Sequence, residues 1–232
     1  MKHIVNKVMR NNPISTTAKL LDKGRCNGCE NSTAACTLKR RAQVEEHMVL
    51  WTRIQGVETG HFPNVRADFA KLACNHCTEA SCLNVCPSGA ISRPDGVHVV
   101  IDQEWCIGCG YCATACPFGI PQLGEPKGSA QKCNFCYGTR TDDQPTACAS
   151  ACPTGAITFG ERDALIQAGR ARVEQLRKKG STHAYLYGEK ELGGLNVLYV
   201  LADHPAAYGL PVNPKVTTAH MGANWLSGVV TA

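Results

Sequence analysis

No stretch of this 232-residue chain is long and apolar enough to cross a bilayer: residues 195–202 form the best run, and 225–232 is less apolar still. A spanning helix needs roughly 20 such residues. The first 25 residues lack the apolar core of an export signal, because Lys2, Lys7, Arg10 and Lys19 punctuate them. Any attachment to a membrane is therefore expected to come from a partner. Strong charge of one sign is missing too, since 24 Lys and Arg against 19 Asp and Glu leave a formal net charge of only +5. That balance gives no footing for a nucleic-acid partner. The last 80 residues contain no cysteine, which confines thiol chemistry to the first two thirds of the chain.

There, cysteine is abundant: all 15 fall between Cys26 and Cys152. A disulfide framework fits poorly, because the count is odd, the chain is long for a stapled secreted domain and the spacing is regular. The cysteines form four groups, at 26–36, 74–87, 106–117 and 133–153. In the third, Cys106, Cys109, Cys112, Cys116 and Pro117 follow Cys-x2-Cys-x2-Cys-x3-Cys-Pro, a bacterial ferredoxin run. The second (Cys74, Cys77, Cys82, Cys86, Pro87) and fourth (Cys133, Cys136, Cys148, Cys152, Pro153) widen the middle gap to four and eleven residues but keep both ends. The first departs twice: Ser32 stands where a third cysteine would be, and Thr37 rather than proline follows Cys36. Cys-Pro-x-Gly follows at residues 86, 116 and 152, where proline fixes φ and glycine permits a tight path. Pro94, Asp95 and Gly96, between two apolar stretches, predict a hairpin joining groups two and three into one unit.

A cubane cluster needs four thiolates converging from different directions, and short gaps let one loop supply three while the fourth cysteine points to a neighbouring cluster. Zinc is the main alternative, since paired Cys-x2-Cys units also make tetrahedral sites, but three close cysteines plus a fourth before proline is not zinc-ribbon spacing. A catalytic thiol is disfavoured because every cysteine has a place as a ligand. His76, inside a group already holding four thiolates, reads as a spacer. Each oxidised four-iron cluster with four thiolates carries about −2, so four clusters would bring the chain from +5 to roughly −3.

The four groups resemble those of the four-cluster iron–sulfur subunits of molybdenum and tungsten oxidoreductases of the dimethyl sulfoxide reductase family. The resemblance implies an α+β fold of two pseudo-symmetric two-cluster ferredoxin-like units with a C-terminal helix and strand extension. It also implies four ligand sets: Cys106, Cys109 and Cys112 with Cys86; Cys74, Cys77 and Cys82 with Cys116; Cys133, Cys136 and Cys148 with Cys36; and Cys26, Cys29 and Cys152 with Ser32. The first three sets would hold [4Fe-4S] clusters. At the fourth, three arrangements stay open: a Ser32 alkoxide keeps a [4Fe-4S] cluster, the corner iron is absent and leaves [3Fe-4S], or Glu30 or water substitutes.

The domain organisation expected is an N-terminal extension at 1–25, a four-cluster domain at 26–160 and a docking extension at 161–232. In the extension, residues 161–180 read as an amphipathic helix with Ile166, Gly169, Val173 and Leu176 on one face, followed by strands at 183–187 and 196–201. The glycine and tyrosine pattern from Tyr187 to Pro211 resembles the segment after the clusters in iron–sulfur subunits of membrane-linked formate dehydrogenases. The chain is thus expected to be a non-catalytic electron-transfer subunit, partnered by a large molybdopterin subunit, with a membrane or other redox subunit as a further candidate partner. It would be cytoplasmic, or periplasmic by co-export with a partner. Polysulfide, thiosulfate, tetrathionate and arsenate reductases are alternative assemblies, and a free-standing polyferredoxin shuttle is the rival reading. The inserts at 39–73 and 137–147 favour a docked subunit over a shuttle.

Overall fold

Residues 197–201 are apolar at every position, the pattern of a strand covered on both faces, and they lie inside a four-stranded sheet. The computed structural model describes residues 17–40, 49–124, 128–141 and 144–216. Residues 1–16 of the expected N-terminal extension and the run 225–232 lie outside these. The sheet joins β1 (Thr17–Asp22), β8 (Ile157–Glu161), β9 (Tyr185–Tyr187) and β10 (Val197–Leu201) in the order β8-β1-β10-β9. β1 runs parallel to β10 and antiparallel to β8, with Leu21 opposite both Tyr199 and Ile157.

Strand alternation gives the sheet two different faces. Leu20, Leu186, Leu198 and Val200 pack under α5 (Arg162–Lys178), meeting Leu165, Val173 and Leu176. Leu21, Tyr187, Val197, Tyr199 and Leu201 face the other way, onto Phe135, Cys148 and the loops that carry cysteine. The sheet thus stands between one long helix and the cysteine-bearing loops.

The helix expected at 161–180 forms at 162–178, with Arg177 and Lys178 in the last turn, where cations suit the helix dipole. Its buried stripe is Leu165, Gly169, Val173 and Leu176, and Ile166 sits half-buried at the margin. The helix lies close to the sheet at Gly169, where a Cβ would meet Leu186 Cδ1 at 2.6 Å. Arg172 Nε donates to Asp22 Oδ2 at 2.7 Å and ties the helix to the end of β1.

The remaining elements are small, apart from a hairpin of two ten-residue strands, β2 (Thr52–His61) and β3 (Asn64–Ala73). The hairpin expected around Pro94 forms as β4 (Ile91–Ser92) against β5 (Val100–Ile101), and β6 (Gln122–Leu123) pairs with β7 (Ala130–Gln131). Among the described residues, four α-helices lie in the cysteine-rich part: α1 (Asn31–Lys39), α2 (Ser81–Asn84), α3 (Tyr111–Ala115) and α4 (Ala147–Ser150). The architecture is α+β, as the sequence predicts.

Candidate metal centres

The third residue of the Cys-x2-Cys that opens each group adopts a left-handed conformation: φ is 72° at Gly28, 47° at His76, 71° at Gly108 and 63° at Phe135. This turn aims backbone amides back at sulfur, so that His76 N donates to Cys74 Sγ and Phe135 N to Cys133 Sγ, both at 3.4 Å. For a bulky residue this conformation costs about 1–3 kcal/mol and persists only where the surroundings impose it. Glycine is needed at the other two positions for a second reason. A Cβ at Gly28 would meet the Phe69 ring at 2.5 Å, and one at Gly108 would meet the Gly128 carbonyl oxygen at 2.6 Å.

The next ligand position also repeats. Ser32, Cys82, Cys112 and Cys148 are each the second residue of their helices, α1, α2, α3 and α4. Ser32 therefore occupies the place in its helix that cysteine occupies in the other three. Three groups then end alike: Gly89, Gly119 and Gly155 take φ of 68°, 59° and 61°, and their amides donate to the carbonyls of Cys86, Cys116 and Cys152. The first group has neither the proline nor the glycine, and its helix runs on to Lys39.

α1 packs on α4 and α2 on α3, which draws the first group to the fourth and the second to the third. Burial pushes the Cys77 thiol up, and the sulfurs of Cys74, Cys116 and Cys82 add to it. Burial and then Cys74 push Cys82 up to about 12. Cys112 is raised by burial and by Cys106 and Cys109, and it lies in an apolar cluster against which Cys77, Cys82, Cys86 and Cys106 pack. Cys36 is pushed up to about 11 by burial and by Cys133. The remaining candidates, Cys26, Cys29, Ser32 and Cys152, line one recess together with Glu30, Lys71 and Thr154. Sulfurs gathered this way repel one another once ionised, and soft thiolates of this kind suit iron–sulfur clusters, whose ferric and ferrous ions supply the positive charge the sulfurs lack.

Sequence reasoning missed the cations. Lys19, Lys23, Lys71 and Lys132 are all buried. Burial drives the Lys23 ammonium down to about 7. At Lys19 burial acts the same way, but the sulfurs of Cys133 and Cys148 outweigh it and the pKa rises. In turn Cys148, which burial would push up, is brought down to about 7 by Lys19 and then Lys71. Lys132 immediately precedes Cys133, and Lys23 and Lys71 each lie three residues before a first cysteine, a spacing visible in the sequence.

Rings join the two halves of the site. His76 meets Phe135 edge-on with centroids 5.0 Å apart, and His98 stacks on Phe135 at 4.1 Å. The loop from Cys74 to Cys77 thereby touches the loop from Cys133 to Cys136. The sheet buttresses the first of these loops: Tyr199 Oη donates to Asn75 Oδ1 at 2.6 Å, and Asn196 Nδ2 donates to the His76 carbonyl at 3.0 Å. Tyr199→Phe would leave the Asn75 oxygen buried without that donor. We expect a loss of about 1–3 kcal/mol in anaerobic denaturation with the iron content unchanged. Cys29 and Cys109 alone among the cysteines are exposed, one in each pair of groups.

The sequence pattern of a 4Fe-4S dicluster domain matches residues 65–162. The chain is 36% identical over 219 residues to the iron–sulfur subunit of the nitrate-inducible formate dehydrogenase of Escherichia coli (strain K12), which spans 87% of this chain and 74% of that one. It is 35% identical over 196 residues to the thiosulfate reductase electron transfer subunit PhsB of Salmonella typhi, 83% of this chain and 97% of that one. It is 37% identical over 153 residues to the B subunit of the anaerobic dimethyl sulfoxide reductase of Escherichia coli (strain K12), 62% of this chain and 73% of that one. With its cysteine groups drawn together on a ferredoxin-type scaffold, the chain belongs to the iron–sulfur electron-transfer subunits of the dimethyl sulfoxide reductase family.

Proposed function

We propose that the chain carries electrons through four iron–sulfur clusters between a molybdopterin-type catalytic subunit, best matched to a formate dehydrogenase, and a separate acceptor or donor. The observation that carries this reading is the placement of four alike cysteine loops in two contacting pairs, each pair with one exposed cysteine and the pairs joined through His76 and Phe135. An exposed site at each end and buried sites between them suit a through-going path. The ligand sets are Cys86, Cys106, Cys109 and Cys112; Cys74, Cys77, Cys82 and Cys116; Cys36, Cys133, Cys136 and Cys148; and Cys26, Cys29, Cys152 and Ser32. The two pairs form pseudo-symmetric ferredoxin-like units within 26–160, and 161–232 serves to dock the partner, its two strands joined in one sheet with β1 and β8.

Bound at these sites, iron–sulfur clusters supply one-electron carriers whose potentials depend on burial, hydrogen bonds and nearby charge. The thiolates hold them, the amides of the left-handed turns donate to sulfur, and the two aromatic side chains in the inner loops keep water from the contact between pairs. Among the described residues no helix is long and apolar enough to cross a membrane. Isolation of the full-length chain from its own cells under anaerobic conditions tests the assembly. A large molybdopterin protein should accompany it, and formate should reduce its clusters. A chain that runs alone supports the diffusing shuttle instead, and reoxidation by thiosulfate or dimethyl sulfoxide with no response to formate favours one of the reductases.

At the fourth site we propose that the Ser32 oxygen holds the corner iron, because Ser32 is buried and occupies the helix position of the third ligand. Ser32→Ala should then lose about one iron per chain and give the near-isotropic oxidised signal of a three-iron cluster in low-temperature paramagnetic resonance. That signal already present in the unaltered protein, and unchanged in the alanine variant, would show that serine holds no iron.

A further inference from the structure

Lysine is seldom buried, since an ammonium taken from water must find compensating charge or hydrogen bonds. Four lysines are buried among the described residues, and the hydrogen bonds or ring contacts of three reach carbonyl, hydroxyl or ring groups, although Lys71 also acts on Cys148 and Cys36, and Cys26 on Lys23. Lys132 Nζ donates to the Val99 and Cys133 carbonyls, Lys71 Nζ donates to Thr52 Oγ1 at 3.4 Å, and Lys23 Nζ lies 5.0 Å from the centre of the Tyr199 ring. Lys19 differs. Its Nζ stands 4.0 Å from both Cys133 Sγ and Cys148 Sγ and 4.1 Å from the centre of the Phe135 ring. The charges of Cys136 and Cys36 also act on it, so the four sulfurs that influence its ammonium are those of one proposed ligand set.

We propose that Lys19 is a positioning residue for charge, which raises the reduction potential of the site formed by Cys36, Cys133, Cys136 and Cys148. The inference rests on the ligand assignment proposed above. Reduction adds one electron and one negative charge to the site, with no bond broken and no proton transferred. A fixed ammonium beside the ligands therefore stabilises the reduced form more than the oxidised one. Lys19 is 1% exposed and Phe135 beside it 1%, so solvent screens this attraction little. A purely structural role would not need the charge. Lys19 sits in the middle of β1 opposite Val197, where an apolar side chain of similar length would fill the space without desolvating an ammonium.

The test uses the full chain in its complex, purified anaerobically, with Lys19→Met, Lys19→Gln and Lys19→Arg compared by iron and sulfide content and by redox titration followed by paramagnetic resonance. With iron unchanged, Lys19→Met and Lys19→Gln should lower one midpoint by at least tenfold in its reduction equilibrium, about 59 mV for one electron, and leave the others in place. Lys19→Arg should hold that midpoint near its original value. If Lys19→Met fails to load clusters, Lys19→Gln decides. Unchanged midpoints in fully loaded Met or Gln variants overturn the proposal. Loss of the same cluster from both the Gln and Arg variants also overturns it, because Lys19 would then be a post required for assembly. Failure of the assignment itself reads differently: Cys133→Ala would lose no iron, and the proposal would fall with it.

Discussion

Cys133→Ala is expected to cost about four irons per chain and to cut electron transfer through the assembly more than about 100-fold. Cys133 is buried, its sulfur accepts the Phe135 amide at 3.4 Å and lies 4.0 Å from Lys19 Nζ, and its charge acts on Cys36. Alanine therefore removes a ligand from a set that no spare cysteine can complete, since all 15 are placed in the proposed sets. It also strips a buried ammonium of one of its two nearest anionic partners, and breaking a buried charge pair costs about 3–5 kcal/mol. In a serial relay an inner site cannot be bypassed over a short distance, so the loss of rate is far larger than the loss of iron. Iron analysis and steady-state transfer from the catalytic partner to an external acceptor check both effects. A variant that loses iron yet transfers at the original rate would place this site off the path.

Gly108→Val is the second large effect. Valine at φ of 71° is strained by about 1–3 kcal/mol, and its Cβ would lie 2.6 Å from the Gly128 carbonyl oxygen, a backbone atom that cannot swing aside. Overpacking of this kind adds about 1–3 kcal/mol, for a total of about 2–6 kcal/mol. The loop from Cys106 to Cys109 should be displaced and the cluster proposed for Cys86, Cys106, Cys109 and Cys112 lost. Gly28→Val makes a useful comparison. The atoms nearest its Cβ belong to the Phe69 ring, a side chain that can turn away, so the expected loss is smaller. Anaerobic denaturation with iron content distinguishes the two variants, and equal losses would contradict the contrast between backbone and side-chain neighbours.

Much of the site is legible in the sequence because a cysteine loop is a local device. Cys-x2-Cys with a glycine third, as at Gly28 and Gly108, announces its left-handed turn. His76 and Phe135 take the same conformation without glycine's freedom, and both are buried. The helix at 162–178 follows from its apolar spacing, and the shift of the buried stripe from Ile166 to Leu165 is one position on a curved surface. The hairpin of β2 and β3 escapes notice because Gly56 and Gly60 interrupt its first strand. β1 and Lys19 are the least legible. Their parallel partner, β10, is some 178 residues away, Lys19 opposite Val197, and no local pattern records such a pairing. The charge environment of the sulfurs therefore depends on a contact that the cysteine spacing does not contain.

Iron and acid-labile sulfide, counted on the anaerobically purified protein and followed by low-temperature paramagnetic resonance before and after dithionite, test the four-cluster account most directly. Four four-iron clusters give about sixteen irons per chain, with signals that arise on reduction. About eight irons, or zinc in place of iron, would contradict the four-cluster reading.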